Sequence, residues 1–201
     1  AFDQVKKNDS LYTLLKDPVA VLKQWDYRSG EASVATTLAV EWGQRLLPAI
    51  RKTGAEAGKN TDFVTLTQYF AGQSSGETLL IPLYETTRDL KKRFGDWQIP
   101  WGELNRFQRI SSDIKYTFDD SKPSIPIGYV SSTWGMLPAY ISRSFPNTKK
   151  RYGEHGNSFV CAVEFGKKVK AKSLLAGGQS GEEHSKHFFD QAEMYRQGQF
   201  K

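Results

Sequence analysis

The sequence predicts an α+β protein: a helical first half, then an irregular region, then a C-terminal β-hairpin followed by a helix. Three observations carry this. Apolar residues recur at helical spacing through the first ninety or so residues. Prolines 123, 126, 138 and 146 interrupt the middle with no sustained periodicity. Two strand-like runs, 158–165 and 169–175, are separated by Gly166-Lys167-Lys168, the composition of a hairpin turn.

The helices are taken in order. Leu11, Leu14, Leu15, Val19, Leu22 and Trp25 line one face, with Asp17-Pro18 as a break or a new start. After the turn Tyr27-Arg28-Ser29-Gly30, the residues Leu38, Trp42, Leu46 and Ile50 step by four. Ser29 offers an N-cap for that helix and Glu31 a favourable first-turn acid, and Gly54 to Gly58 closes it. A third helix is expected from about Asp62 to Phe70, and a fourth from about Glu77 to Arg93 across Pro82. Gly177-Gly178-Gln179-Ser180-Gly181 reads as a tight loop. Ser185 caps a last helix carrying Phe188, Ala192 and Tyr195, and Gly198 stops it. The expected organisation is a mainly helical segment 1–110 and a β-rich segment 111–201 with a terminal helix.

Composition excludes several classes. With 201 residues, 13% aromatic and 25% charged, the chain can bury a core and is not of disordered composition. No apolar run reaches 18 residues, so no membrane span is expected. The start Ala1-Phe2-Asp3-Gln4 has neither a basic nor an apolar leader region, which places any signal peptide upstream. The net charge of +6 is spread over short runs, Lys91-Lys92-Arg93 and Lys149-Lys150-Arg151, and nucleic acid is not an expected partner. Lys168, Lys170 and Lys172 alternate with Val169 and Ala171 as the wet face of a strand.

Candidate chemistry is sparse. The single cysteine, Cys161, excludes an intrachain disulfide and a cysteine-based metal site, and its apolar surroundings read as those of a buried hydrophobe. His184 and His187 lie near Glu182 and Glu183, too little for a metal assignment, and His155 stands alone. Ser180 lacks the spacing of a nucleophile elbow. An aromatic-rich set, Trp97, Trp101, Tyr129 and Trp134, leaves open a noncatalytic binding module. Trp101 beside Gly102 reads as packed scaffold, with Glu103 and Arg106 meeting on one helix face.

Four segments, in order, go further: Lys16 to Asp26 (KDPVAVLKQWD), Pro100 to Arg106 (PWGELNR), Gly156 to Gly166 (GNSFVCAVEFG), and Gly178 (GQSG) through His187 to Asp190-Gln191. Together they resemble the C-terminal part of the β chain in the penicillin acylase family, which includes penicillin, cephalosporin and N-acyl-homoserine-lactone acylases. The resemblance implies an αββα N-terminal-nucleophile hydrolase sandwich with helical insertions. It implies cleavage of an acyl group from an amine by an N-terminal serine whose own α-amine is the base. Residue 1 here is alanine, so this chain holds no nucleophile. The family's nucleophile, oxyanion asparagine and calcium ligands are expected upstream of Trp25-Asp26, and no cofactor is expected on this chain itself. The expected partners are the upstream remainder of the same precursor and a small N-acyl substrate. The expected location is periplasmic or extracellular. The one candidate site residue is Glu164, aligned by the resemblance with a glutamate of cephalosporin-type members that orients a histidine near the nucleophile; the residues themselves also allow a solvated carboxylate at the strand end beside the Gly166 turn, paired with Lys167 or Lys168. On its strand, Phe159, Cys161, Val163 and Phe165 form an apolar face expected to pack, and Ser158, Val160, Ala162 and Glu164 the other face.

Overall fold

The computed structural model describes residues 1–5, 9–58, 62–110 and 117–201. It is mixed α and β, and the described residues divide into two compact units, 1–28 with 33–99, and 29–32 with 100–201. The expected change of character at 110/111 borders residues 111–116, which lie outside the described residues.

The first unit is helical: α1 (Ser10–Lys23), α2 (Val34–Glu56), α3 (Phe63–Gln73) and α4 (Gly76–Phe94). Each begins on a side chain that accepts an otherwise unpaired first-turn N–H: Asp9 for α1, Ser33 for α2, Asp62 for α3 and Ser75 for α4. The cap of α2 is therefore Ser33 and not Ser29, which lies in the second unit. Helix α1 does not break at Pro18. The ring is buried beside Leu15 and Val19, and these contacts offset the one backbone hydrogen bond a proline cannot make. Gly54 lies within α2, where any side chain would collide with Leu66 of α3. Leu15, Val19, Leu80 and Leu83 form one core, and Leu46, Ile50 and Phe70 another. Arg93 bridges Glu41 at 2.9 Å and Asp89 at 3.0 Å, with Arg93 and Glu41 both largely buried. Helix α4 ends at Gly95, whose φ of 89° a side chain would disfavour.

The second unit begins with a short helix, α5 (Trp101–Leu104), which leads directly into β1 (Asn105–Phe107). With β2 (Ile125–Pro126), β3 (Tyr140–Ser144) and β4 (Arg151–Gly156) it makes a four-stranded sheet of order β2-β1-β4-β3. Only β1 and β4 run parallel. A separate hairpin, β5 (Phe159–Glu164) and β6 (Lys170–Leu175), pairs in register from Phe159–Leu175 to Glu164–Lys170. The last helix, α6 (Ala192–Gln197), starts seven residues beyond the expected cap. Ser185 caps a turn instead, its Oγ accepting the His187 N–H at 3.2 Å. Ile127, Tyr140, Leu174 and Tyr195 centre the core.

Candidate functional site

Glu164 ends β5, and its carboxylate lies 3.9 Å from the Lys170 ammonium directly across the ladder, both side chains about three-quarters exposed. It lines a groove of about 280 Å³ with Ala162, Val163, Lys170, Lys172 and Phe200. Strand alternation puts it on the face of Val160 and Ala162, and that face is the one partly covered, since Val160 packs against the Tyr195 and Leu174 core.

The opposite face corrects the sequence expectation. Phe159 is 56% exposed, Val163 44% and Phe165 85%, and Cys161 is exposed rather than buried. Period-two alternation is blind to which face finds a partner, and the one that found it carries Val160 and not the phenylalanines. The outer edge of β5 is open as well. The N–H of Ala176 bonds Ser158 O, while Ser173 exchanges backbone bonds with Lys201 on the far side of β6. By antiparallel alternation, the backbone groups of Phe159, Cys161 and Val163 then point away from β6. No backbone partner meets them among the described residues.

Behind the hairpin, residues 177–191 close around Arg109. Its guanidinium donates to Gly178 O at 3.0 Å, Ser180 O at 2.8 Å and Phe188 O, and lies 4.5 Å over the Phe188 ring. Gln191 returns to the loop's start, its N–H on Gly177 O at 2.8 Å. Ser180, His187 and Asp190 share this loop, and His187 Nδ1 and Asp190 Oδ2 are 2.9 Å apart. Ser180 Oγ accepts the Glu182 N–H instead of joining that pair, so the three are not in a nucleophilic relay. The hydrogen bond from His187 holds the Asp190 carboxyl below the usual range, against some opposing desolvation. A carboxyl depressed on folding stabilises fully above its unfolded pKa of about 3.9. That contribution disappears as the pH falls through the lower folded value. The thermal stability of the chain should therefore drop more steeply below about pH 4 than that of Asp190→Asn, which cannot titrate there. Parallel curves for the two would exclude a role for this pair in acid stability.

The stretch 100–106 is a packed joint. Trp101 is 1% exposed, and its Nε1 donates to Tyr129 O at 3.1 Å. Asn105, wholly buried, donates through Nδ2 to Ile127 O and Tyr129 O. Gly102 lies against Glu31 and Pro126, 2.9 Å from each Cβ if it carried one. Arg106 belongs to β1, not to a helix shared with Glu103, and donates to Gly102 O, Ser124 Oγ and Ser124 O. Burial pushes its pKa down. Tyr129 gives its hydroxyl to Tyr195 O. Trp101 is thus buried scaffold and Tyr129 is tied to Tyr195, while Trp97 and Trp134 are half-buried.

The family model described as penicillin amidase matches residues 3–201. The chain belongs to the penicillin amidase family. No curated protein matches the chain.

Of the four segments that resemble the penicillin amidase family, the first lies mostly in α1. The other three build the second unit: α5 with β1, the end of β4 with β5, and the Arg109-clasped loop leading to α6. Arg109 was missed in the sequence because its partners are main-chain carbonyls, which leave no mark on residue type. The glycine pair 177–178 was the available signal. Gly177 would collide with the Arg109 side chain if substituted, and Gly178 with the backbone at His187. His155 sits beside Glu154 at 3.7 Å, and Glu154 is already bonded by Arg143. Among the described residues no group of three or more His, Cys, Asp or Glu is placed to hold a metal, and no helix is long and apolar enough to cross a membrane.

Proposed function

We propose that this chain forms the C-terminal part of an amide hydrolase that removes an acyl group from an amine, with a preceding polypeptide of the same precursor supplying the nucleophile. The observation that carries the reading is the β5–β6 hairpin of a penicillin amidase family chain. It has an apolar face in solvent and an unpaired edge at Phe159, Cys161 and Val163. Exposed apolar surface beside an open strand edge is the complement of another strand and the layer behind it. In the intact sandwich that partner is the preceding polypeptide.

The chemistry then divides between the two parts. An N-terminal serine hydroxyl attacks the amide carbonyl and its own α-amine takes the proton; that proton passes to the amine as the C–N bond breaks and the amine leaves, and water then hydrolyses the acyl-serine ester to release the carboxylic acid and regenerate the serine. Preorganised N–H donors stabilise the oxyanion. Glu164 is the residue of this chain assigned next to that centre. Its carboxylate orients a histidine on the preceding polypeptide and favours the protonated ring. Calcium, where the intact enzyme holds it, is assigned by the family resemblance to ligands on the preceding polypeptide. The substrate class is small N-acyl amines. Cleavage of β-lactam antibiotics and of N-acyl-homoserine lactones (quorum quenching) both lie within it, and the enzyme is assigned to the periplasm or the extracellular space.

The test is hydrolysis of chromogenic phenylacetyl and fatty-acyl amides. The intact polypeptide should turn over at least one of them and the 201-residue chain none. In the intact enzyme Glu164→Gln should lower kcat about tenfold without loss of folding, the scale of one positioning interaction in a transition state. Turnover by the chain alone, or a Glu164→Gln rate unchanged across the pH profile, would overturn the corresponding part.

A further inference from the structure

The strand pair that carries Glu164 has a third member. The N–H of Ser173 donates to Lys201 O at 3.0 Å and the Lys201 N–H to Ser173 O at 3.1 Å, the reciprocal exchange of antiparallel neighbours. The segment after α6 therefore lies along the outer side of β6. Gly198, at φ 65°, turns the chain out of the helix, and the Gln199 N–H donates to Met194 O at 2.8 Å, which fixes the exit. With Ser173 opposite Lys201, Leu174 stands opposite Phe200, and Val160 of β5 opposite Leu174. Side chains directly opposite share a face. Val160, Leu174 and Phe200 thus form one apolar row across three strands, and this row packs into the core with Ile127, Tyr140 and Tyr195. Beyond it, on the same face, Ala162 pairs with Lys172 and Glu164 with Lys170. Phe200 and Glu164 line the same groove of about 280 Å³.

We propose that Phe200 is a positioning residue for Glu164. This role rests on the amide-hydrolase reading of Glu164. Glu164 lies four residues past Val160, about 13 Å along the strand. Ala162, the one residue between them on this face, carries only a methyl group and adds little hold. The row that Phe200 completes is therefore what anchors this face of β5 to the core. A small tilt of β5 at the row is magnified at the strand end, where a displacement of about 1 Å is enough to slow a reaction. The Phe200 ring sets that tilt by filling the outer place in the row, and the Ser173–Lys201 bonds keep it there.

The experiment compares the intact enzyme with its Phe200→Ala, Glu164→Gln and doubly substituted variants. Phe200→Ala should lower kcat about fivefold with little change in KM, as expected of a misplaced group and not of weaker substrate binding. On the Glu164→Gln background, which alone costs about tenfold, it should add nothing, whereas independent effects would multiply to about 50-fold. Phe200→Leu keeps the row apolar and should retain most of the rate. In the 201-residue chain, the Ser173 amide should exchange with solvent faster in Phe200→Ala than in the parent, at a temperature well below both melts. An equal loss from Phe200→Ala in both backgrounds marks general destabilisation and overturns the role. So does a Glu164→Gln loss that Phe200→Ala does not share, a Phe200→Leu variant as slow as Phe200→Ala, or unchanged exchange at Ser173. A Glu164→Gln rate equal to the parent's overturns the Glu164 reading itself, and the role of Phe200 with it.

Discussion

Trp101→Ala should destabilise the second unit by about 3–5 kcal/mol, the range for removing a fully buried aromatic side chain. The indole is 1% exposed, so truncation leaves a cavity where Tyr129, α5 and β1 meet and cannot simply collapse. It also removes the donor to Tyr129 O. That carbonyl keeps Asn105 Nδ2 as a donor, which moderates this part of the loss. In a protein of this size the shift corresponds to a melting temperature lower by about 10 °C. Thermal and urea melts of the chain check it. Unchanged stability, with altered substrate preference in the intact enzyme, would move Trp101 from scaffold to substrate contact.

Gly178→Ala is the second large effect. A Cβ at this position would overlap the His187 carbonyl oxygen and stand 2.7 Å from Asp190 Oδ1. The obstacle is backbone, so a change of rotamer cannot relieve it, and the loop must open. Opening it loosens the Ser180 N–H bond to His187 O and the grip of Arg109 on Gly178 O. The cost is about 2–4 kcal/mol, the price of overpacking plus weakened hydrogen bonds. Gly181→Ala is the control in the same motif, because open space surrounds Gly181. Equal stability of the two variants in a denaturant melt would show that the loop is not built on the close approach at Gly178.

Helices α1 to α4 were legible because their signals are local. Spacing of Leu11, Leu15 and Val19, a polar cap before each run, and Gly95 after the last are all written within a few residues. The misreadings are places where tertiary contacts decide. Pro18 is a helix breaker by propensity, but its burial with Leu15 keeps α1 whole. Ser29 satisfies the local cap rule, yet its chain segment is recruited by the second unit and Ser33 takes the role. Arg106 follows Glu103 at helical spacing, but the helix ends at Leu104 and its guanidinium turns to Ser124. For the candidate site, alternation along β5 gave the two faces correctly, and Glu164 shares its face with Val160. Which face is covered depends on Tyr195 and Phe200, far along the chain, and no pattern within β5 encodes that.

The Ser29–Ala32 strap has a consequence for how the polypeptide is made. Glu31 O accepts the Gly102 N–H at 2.8 Å, and its carboxylate receives Arg196, 165 positions later. Gly102 and Gly128 both leave room for the backbone or side chain of Glu31. The unit that contains this strap is thus discontinuous in sequence, closed by a pairing of high sequence separation. During synthesis α1 to α4 can form as they emerge, but Glu31 must wait for α6 before its charge is met. Closing so long a loop adds only logarithmically to the entropic cost, yet such non-local pairings slow folding. Residues 100–201 expressed without the strap would leave Arg196 with Glu193 alone as acidic partner among the described residues, and the groove against Gly102 and Gly128 unfilled.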